Sequence, residues 1–197
     1  AACTIDRLMG DEGMSGVVRG KRHRTTIQGG KNSTRAPDLL DRDFTSESPN
    51  RKWVTDFTYT RTWAGFVYVA FVIDCFSRAI VGWHASTVKD TAMVTTALKM
   101  ALWRRDHGGH RVGSGLIHHS DAGSQYTSIS FAETLVLEGI AASIGSVGDA
   151  YDNALAESTI GLFKTEAVSK RSPFLIGPMK TIDDVEFATM GWVDWFN

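Results

Sequence analysis

The stretch W-V-T-D-F-T-Y, Trp53 to Tyr59, followed after R-T-W-A-G by F-V-Y-V-A-F-V-I, Phe66 to Ile73, decides the fold. Trp53, Thr55, Phe57 and Tyr59 alternate with Val54, Asp56 and Thr58, which is the two-residue period of a strand. Phe66 to Ile73 is uninterrupted and reads as a strand buried on both faces. R-T-W-A-G and D-C-F-S-R are short enough for hairpin turns, so with Ala79 to Ala85 the three segments form an antiparallel meander.

Downstream the period changes. Asp90 to His107 carries Val94, Ala97, Leu98, Ala101 and Leu102 along one helical face, and Gly108 and Gly109 end it. Leu116 to His118 is a short apolar strand that delivers Asp121 just beyond its carboxyl end, the edge where open α/β sheets place their chemistry. S-F-A-E, Ser130 to Glu133, reads as a capping box for a helix with Phe131, Leu135 and Val136, closed by Gly139. Ile140 to Ile144 is a fifth strand, and Gly145 to Gly148 is expected to be a mobile loop. Asp152 or Asn153, with Asp152 preferred, caps a helix whose outer face holds Asn153, Glu157 and Lys164 while Leu155, Thr159, Leu162 and Phe163 turn to the core. T-I-D-D at Thr181 is a second capping box, before a stripe of Val185, Ala188, Trp192 and Phe196. Three hairpin strands, then helix, strand, helix, strand and helix, is the order of an α/β, ribonuclease H-like fold: a five-stranded mixed sheet flanked by helices.

The chain has 197 residues, 43% of them hydrophobic, enough for one packed domain with short extensions. A net charge of −1 offers no overall basic footprint, so a nucleic-acid partner requires a local one. Gly13 to Pro37 supplies a candidate: no acid, and Arg19, Lys21, Arg22, Arg24, Lys31 and Arg35 among Gly, Ser and Thr. It reads equally as a solvated linker or as an arm along phosphates. Cys3 and Cys75 form no C-x-x-C pair. Ala64 to Ile73 is about half the ~20 apolar residues of a membrane helix, and no signal peptide is visible, so a cytoplasmic protein is expected.

Three acids stand out. Asp56 lies in mid-strand, where a carboxylate is costly unless a cation or donors satisfy it. Taken singly, Asp121 before Ala122 and Gly123 reads first as a turn residue, and Glu157 as an ordinary exposed helix acid. As a set the three favour a metal site of hard oxygen donors. His118 and His119 point to opposite faces of a strand and have no Cys or His partners at zinc spacing. Gln125 and Tyr126 suit loop packing at least as well as a DNA contact. Trp192, Trp195 and Phe196 read as core, or as a seam to further residues.

Four ordered blocks carry a specific resemblance: W-V-T-D-F-T-Y, F-V-Y-V-A-F-V-I-D-C-F-S-R-A-I-V-G-W, H-H-S-D-A-G-S-Q-Y-T-S and Y-D-N-A-L-A-E-S-T-I-G-L-F-K-T-E, with 35 residues between Asp121 and Glu157. From about Arg35 to Asn197 the chain resembles the catalytic domain of insertion-sequence-three family transposases, relatives of retroviral integrase. The resemblance implies Asp56, Asp121 and Glu157 as a DDE triad holding two magnesium or manganese ions, Asp56 shared between them. It implies Lys164 as a contact to donor-end DNA; Asn153 on the same helix face and the arm residues Arg19, Lys21, Arg22 and Arg24 are further candidate DNA contacts. The implied activity is metal-dependent strand cleavage and strand transfer at element ends and target DNA, by a homo-oligomer with no small-molecule substrate. A nuclease that cuts without joining and an inactive DNA-binding or oligomerising fragment are the alternatives. Residues 1–35 are then the remnant of a helix-turn-helix region and its basic linker, with Thr4 to Lys21 as the tail, and 36–197 the catalytic core. Ala122 stands where the family often has a polar or charged residue, and the family's Arg and His stretch after W-V-D-W-F-N is missing, so truncation there is expected.

Overall fold

The computed structural model describes residues 35–146 and 150–197, together with Thr4, Arg7, Leu8, Asp11 and Glu12. The chain divides into two units, Ala1–Thr34 and Arg35–Asn197. In the first, Thr4, Arg7, Leu8 and Asp11 are helical and the Glu12 N–H donates to the Leu8 carbonyl at 3.1 Å. Residues 147–149, which include the last two of the expected mobile loop, and the arm's Arg19, Lys21, Arg22 and Arg24 lie outside the described residues.

The second unit begins its sheet where alternation begins. Strand β1, Lys52–Thr62, pairs antiparallel with β2, Gly65–Asp74, which pairs antiparallel with β3, Ile80–Ser86. Gly65 closes the first hairpin at φ +131°, a conformation that suits a residue without Cβ. Helix α1, Thr91–His107, then crosses the sheet, with Asp90 capping it by accepting from the Met93 N–H at 3.0 Å. The chain returns as β4, Ile117–Ser120, parallel to β1, and after helix α2, Ile129–Leu137, as β5, Ala141–Ile144, parallel to β4. The sheet order is β3-β2-β1-β4-β5.

Strand alternation splits the core in two. Trp53, Ala70 and Val72 pack under α1 and α2, against Met93, Leu98, Ala101, Phe131 and Leu135. Gly82 lets α1 sit close, since a Cβ there would stand 2.4 Å from the Ala97 carbonyl oxygen. On the other face, Val54, Phe71 and Ile73 meet helix α3, Ala154–Leu162, and helix α4, Ile182–Phe196. Phe71, Phe163 and Trp192 form its aromatic centre, with ring centroids 5.0 to 6.1 Å apart. The Thr181 capping box of α4 is present, with Asp184 accepting from the Thr181 N–H at 2.9 Å.

Several local expectations are corrected. The cap of α2 is Ser128, whose hydroxyl accepts from the Phe131 N–H at 3.3 Å; Ser130 lies inside the first turn. Val136 on that helix is 76% exposed. Of the expected core face, Thr159 and Phe163 are buried and Leu155 packs against the core, but Leu162 is exposed and Ala156 and Ile160 complete the buried stripe. The phase differs because the chain enters α3 through a 3-10 turn, Ala150–Asn153, and leaves it through a π turn, Phe163–Ala167. Asp152 does not cap α3: its carboxylate accepts from Arg42 Nε at 2.8 Å, from the Ser146 N–H at 2.9 Å and from the Ser146 hydroxyl. Asn153 occupies the cap position and makes no side-chain capping bond.

Candidate active site

The parallel register brings two acids side by side. Thr55 on β1 pairs with Ser120, the last residue of β4, so Asp56 on β1 and Asp121 just beyond β4 are next in register. Asp56 is half-buried, and its Oδ1 accepts from the Phe57 N–H at 2.7 Å. Its carboxyl is pushed up to about 7, first by burial and then by the charge of Asp121, with Glu157 adding to the rise and the Phe57 N–H and Lys164 opposing it.

Asp121 is exposed at its rim, yet the protein around it is dense enough that burial raises its carboxyl as well. The Gly123 N–H, donating to Oδ1 at 3.0 Å, opposes that rise, as do Lys89 and His119. Asp121 therefore shapes its turn while its charge reaches Asp56. Glu157 lies exposed in the first turn of α3, and Lys164 is exposed on the following π turn; the charge of each reaches Asp56. No three His, Cys, Asp or Glu side chains among the described residues are already gathered to hold one ion. The acids stand instead as an interacting pair with a third at the rim. Their donor set, carboxylate oxygen throughout, fits a hard divalent ion such as magnesium or manganese, and an acid held near 7, chiefly by burial and then by the charge of Asp121, is where such a cation gains most.

Asn153 behaves differently from the outward DNA contact expected of it. Only 4% exposed, it turns inward and its Nδ2 donates to the Thr55 carbonyl at 3.0 Å, beside Asp56. A clip of this kind ties the start of α3 to β1. Sequence reasoning missed it because an Asn before a helix normally signals a cap.

The histidines divide as strand geometry requires. His118 packs against Tyr126 and Phe131, and burial lowers it to about 3, so it is neutral. Both ring nitrogens of His119 are engaged at 2.8 Å, Nδ1 with the Ser143 hydroxyl and Nε2 with the Asp152 carbonyl. Neither is arranged as a zinc ligand. Gln125 and Tyr126 are buried packing residues, the Tyr126 hydroxyl lying 3.3 Å from Thr55 Oγ1. Two cations near the site carried no motif: Lys89, whose charge reaches Asp121, and Arg42, which holds Asp152 and lies 6.0 Å from the Tyr151 ring centroid.

Residues 46–150 match the integrase core domain family. Over 197 residues the chain is 49% identical to a putative transposase for insertion sequence element IS986/IS6110 of Mycobacterium tuberculosis, spanning all of this chain and 69% of that protein. It is 47% identical over 197 residues to the transposase for insertion sequence element IS629 of Shigella sonnei, spanning 62% of that protein. Among solved structures, a chain of the simian T-cell lymphotropic virus intasome in complex with PP2A regulatory subunit B56 gamma superposes with a TM-score of 0.54 at 21% identity, over 61% of this chain and 41% of that one. The last likeness is one of fold.

Proposed function

The chain belongs to the integrase core domain family, among the insertion-sequence transposases, and from that premise we propose that Asp56, Asp121 and Glu157 are the carboxylates with which it cuts and joins DNA strands. Family and fold identify a DDE polynucleotidyl transferase core of ribonuclease H-like architecture. The observation that carries the assignment is the register that sets Asp56, in the middle of β1, beside Asp121, just past the end of the parallel strand β4, within the fields of Glu157 and Lys164.

Asp56 stands at the centre of this arrangement. Its half-buried position makes ionisation costly alone and favourable beside a cation, so it would hold a divalent ion as a carboxylate near neutral pH. Asp121 and Glu157 would complete with it the set that holds magnesium or manganese, two ions in this proposal. Bound there, divalent ions would supply Lewis-acid charge to the phosphoryl oxygens. Lys164 adds positive charge on the same side and attracts the DNA phosphates. Asn153 acts on position, fixing the first turn of α3 against β1. The basic arm with Arg19, Lys21, Arg22 and Arg24 follows the DNA backbone, and two element ends are handled by a homo-oligomer.

The test is calorimetric titration of manganese into the chain and into Asp121→Asn, each without and with element-end DNA, followed by strand transfer with the full-length transposase. Metal binding that disappears in Asp121→Asn, and joined products that disappear in Asp56→Asn, support the proposal. Cleavage without joining reduces it to a nuclease. No metal binding with or without DNA overturns it in favour of a DNA-binding fragment.

Among the described residues no helix is long and apolar enough to cross a membrane.

A further inference from the structure

The face of the β1–β2 hairpin opposite Asp56 carries aromatic rings that the core does not cover. Phe57, Tyr59 and Arg61 share that side of β1, and the register sets Tyr59 against Tyr68 and Arg61 against Phe66. Phe57 and Tyr68 are half-buried against the core under α1, but Tyr59 and Phe66 are 59% and 49% exposed. The rings meet edge to face, Tyr59 to Phe66 at 5.3 Å and Tyr59 to Tyr68 at 6.3 Å between centroids. Contiguous exposed rings of this kind mark an interaction surface.

Charge identifies the occupant. The Arg61 guanidinium lies 5.8 Å from the Phe66 ring centroid, and Lys89 Nζ lies 5.6 Å from that of Phe57. Asp74 is the one carboxylate of this side on β1 and β2; it is fully buried at the far end of the strand and engaged by Asn50 and Ser77. The exposed surface is therefore aromatic and cationic. Lys89 also joins it to the carboxylates, because its charge reaches Asp121. Same-side residues on a strand stand about 6.8 Å apart, twice the ~3.4 Å rise per base of a nucleic-acid strand.

We propose that Tyr59, Phe66 and Tyr68, flanked by Arg61 and Lys89, form a stacking surface for unpaired bases of the DNA strand held at the Asp56 and Asp121 site. The inference rests on the reading that DNA strands pass those carboxylates. Paired bases keep their faces inside the duplex and present mainly phosphates, so rings recruit frayed or single-stranded DNA while Arg61 and Lys89 hold its backbone.

Fluorescence anisotropy tests this with the 197-residue chain in EDTA, on three labelled DNAs: a blunt duplex, the same duplex with a 3′ single-stranded overhang, and one whose overhang is abasic. The abasic overhang is expected to bind wild type roughly tenfold more weakly than the natural one. The double variant Tyr59→Ala, Phe66→Ala should lose roughly the same on the natural overhang, nothing further on the abasic one, and less than twofold on the blunt duplex. Tyr59→Phe should bind as wild type, and Tyr59→Leu, which keeps apolar bulk without a ring, should not. Circular dichroism melts establish that each variant is folded.

Equal losses on blunt and overhanging DNA, or losses that add between abasic DNA and the variant, overturn the proposal. So does an unchanged DNA affinity with altered sedimentation, which would assign the face to a second copy or another protein. Because metal is excluded, none of these readings depends on an ion held by the carboxylates, and failure of the carboxylate assignment is read separately from failure of the stacking surface.

Discussion

Asp56→Asn is expected to stabilise the chain, and to do so more at pH 8 than at pH 5. The Asp56 carboxyl rises from its ordinary 3.8 to about 7 on folding, chiefly through burial and then through the charge of Asp121. Between those values the unfolded chain has released this proton while the folded chain keeps it, so stability falls as pH rises through the window. The contribution is nil below 3.8, amounts to a cost of about 2 kcal/mol at pH 5, and reaches about 4 kcal/mol above pH 7. Asn preserves the side chain's shape, and its carbonyl can accept the Phe57 N–H that Asp56 now holds at 2.7 Å. Urea denaturation at the two pH values measures the difference: an advantage for Asp56→Asn of about 2 kcal/mol at pH 5 and about 4 kcal/mol at pH 8. Added manganese should return stability to wild type and leave the variant unchanged. An advantage equal at both pH values, or a variant less stable than wild type at pH 8, would refute the argument that this carboxyl is held against its charge.

Asn153→Ala removes the donor to the Thr55 carbonyl; it should cost about 1–3 kcal/mol in urea denaturation and reduce strand transfer by the full-length protein more than it reduces DNA binding. Arg42→Ala withdraws the guanidinium from Asp152, whose carboxyl is held down to about 2 mainly by the Ser146 hydroxyl and then by Arg42. Faster hydrogen exchange at the Ser146 amide, which donates to the same carboxylate, is the expected readout, and unchanged exchange would show that Ser146 alone holds the turn. Gly82→Ala would press a methyl to within 2.4 Å of the Ala97 carbonyl oxygen, and a loss of about 1–3 kcal/mol is expected from thermal or urea melts.

The meander was legible because its signal is local. Alternation from Trp53 to Tyr59 and the unbroken apolar run to Ile73 each require a strand wherever the rest of the chain goes. The α2 cap was misplaced by two residues for an equally local reason: Ser128 and Ser130 are both plausible caps, and the choice depends on contacts distant in sequence. Ser128 accepts from Thr91 on α1 at 3.1 Å, a bond that no window around S-F-A-E contains, and also donates to the Gln125 carbonyl at 3.0 Å. The side-by-side placement of Asp56 and Asp121 depends on the same kind of information, since the parallel pairing of β1 with β4 spans the whole α1 crossover.

Asn153 shows how a sound periodic argument reverses when its phase is wrong. A wheel drawn from Asn153 to Lys164 assumes 3.6 residues per turn throughout, and it sets Asn153, Glu157 and Lys164 on one outer face. The chain instead enters through the 3-10 turn Ala150–Asn153 and leaves through the π turn Phe163–Ala167, so the wheel applies only between them. Glu157 and Lys164 remain exposed while Asn153 turns in to Thr55. That inversion bears directly on the site. Thr55 precedes Asp56 on β1, and Glu157 follows Asn153 by about one helical turn. Anchoring Asn153 to the Thr55 carbonyl therefore fixes the base of that turn to the residue next to Asp56. The third acid owes its place near the pair to a buried amide, and the irregular turn before α3 is what points the amide inward.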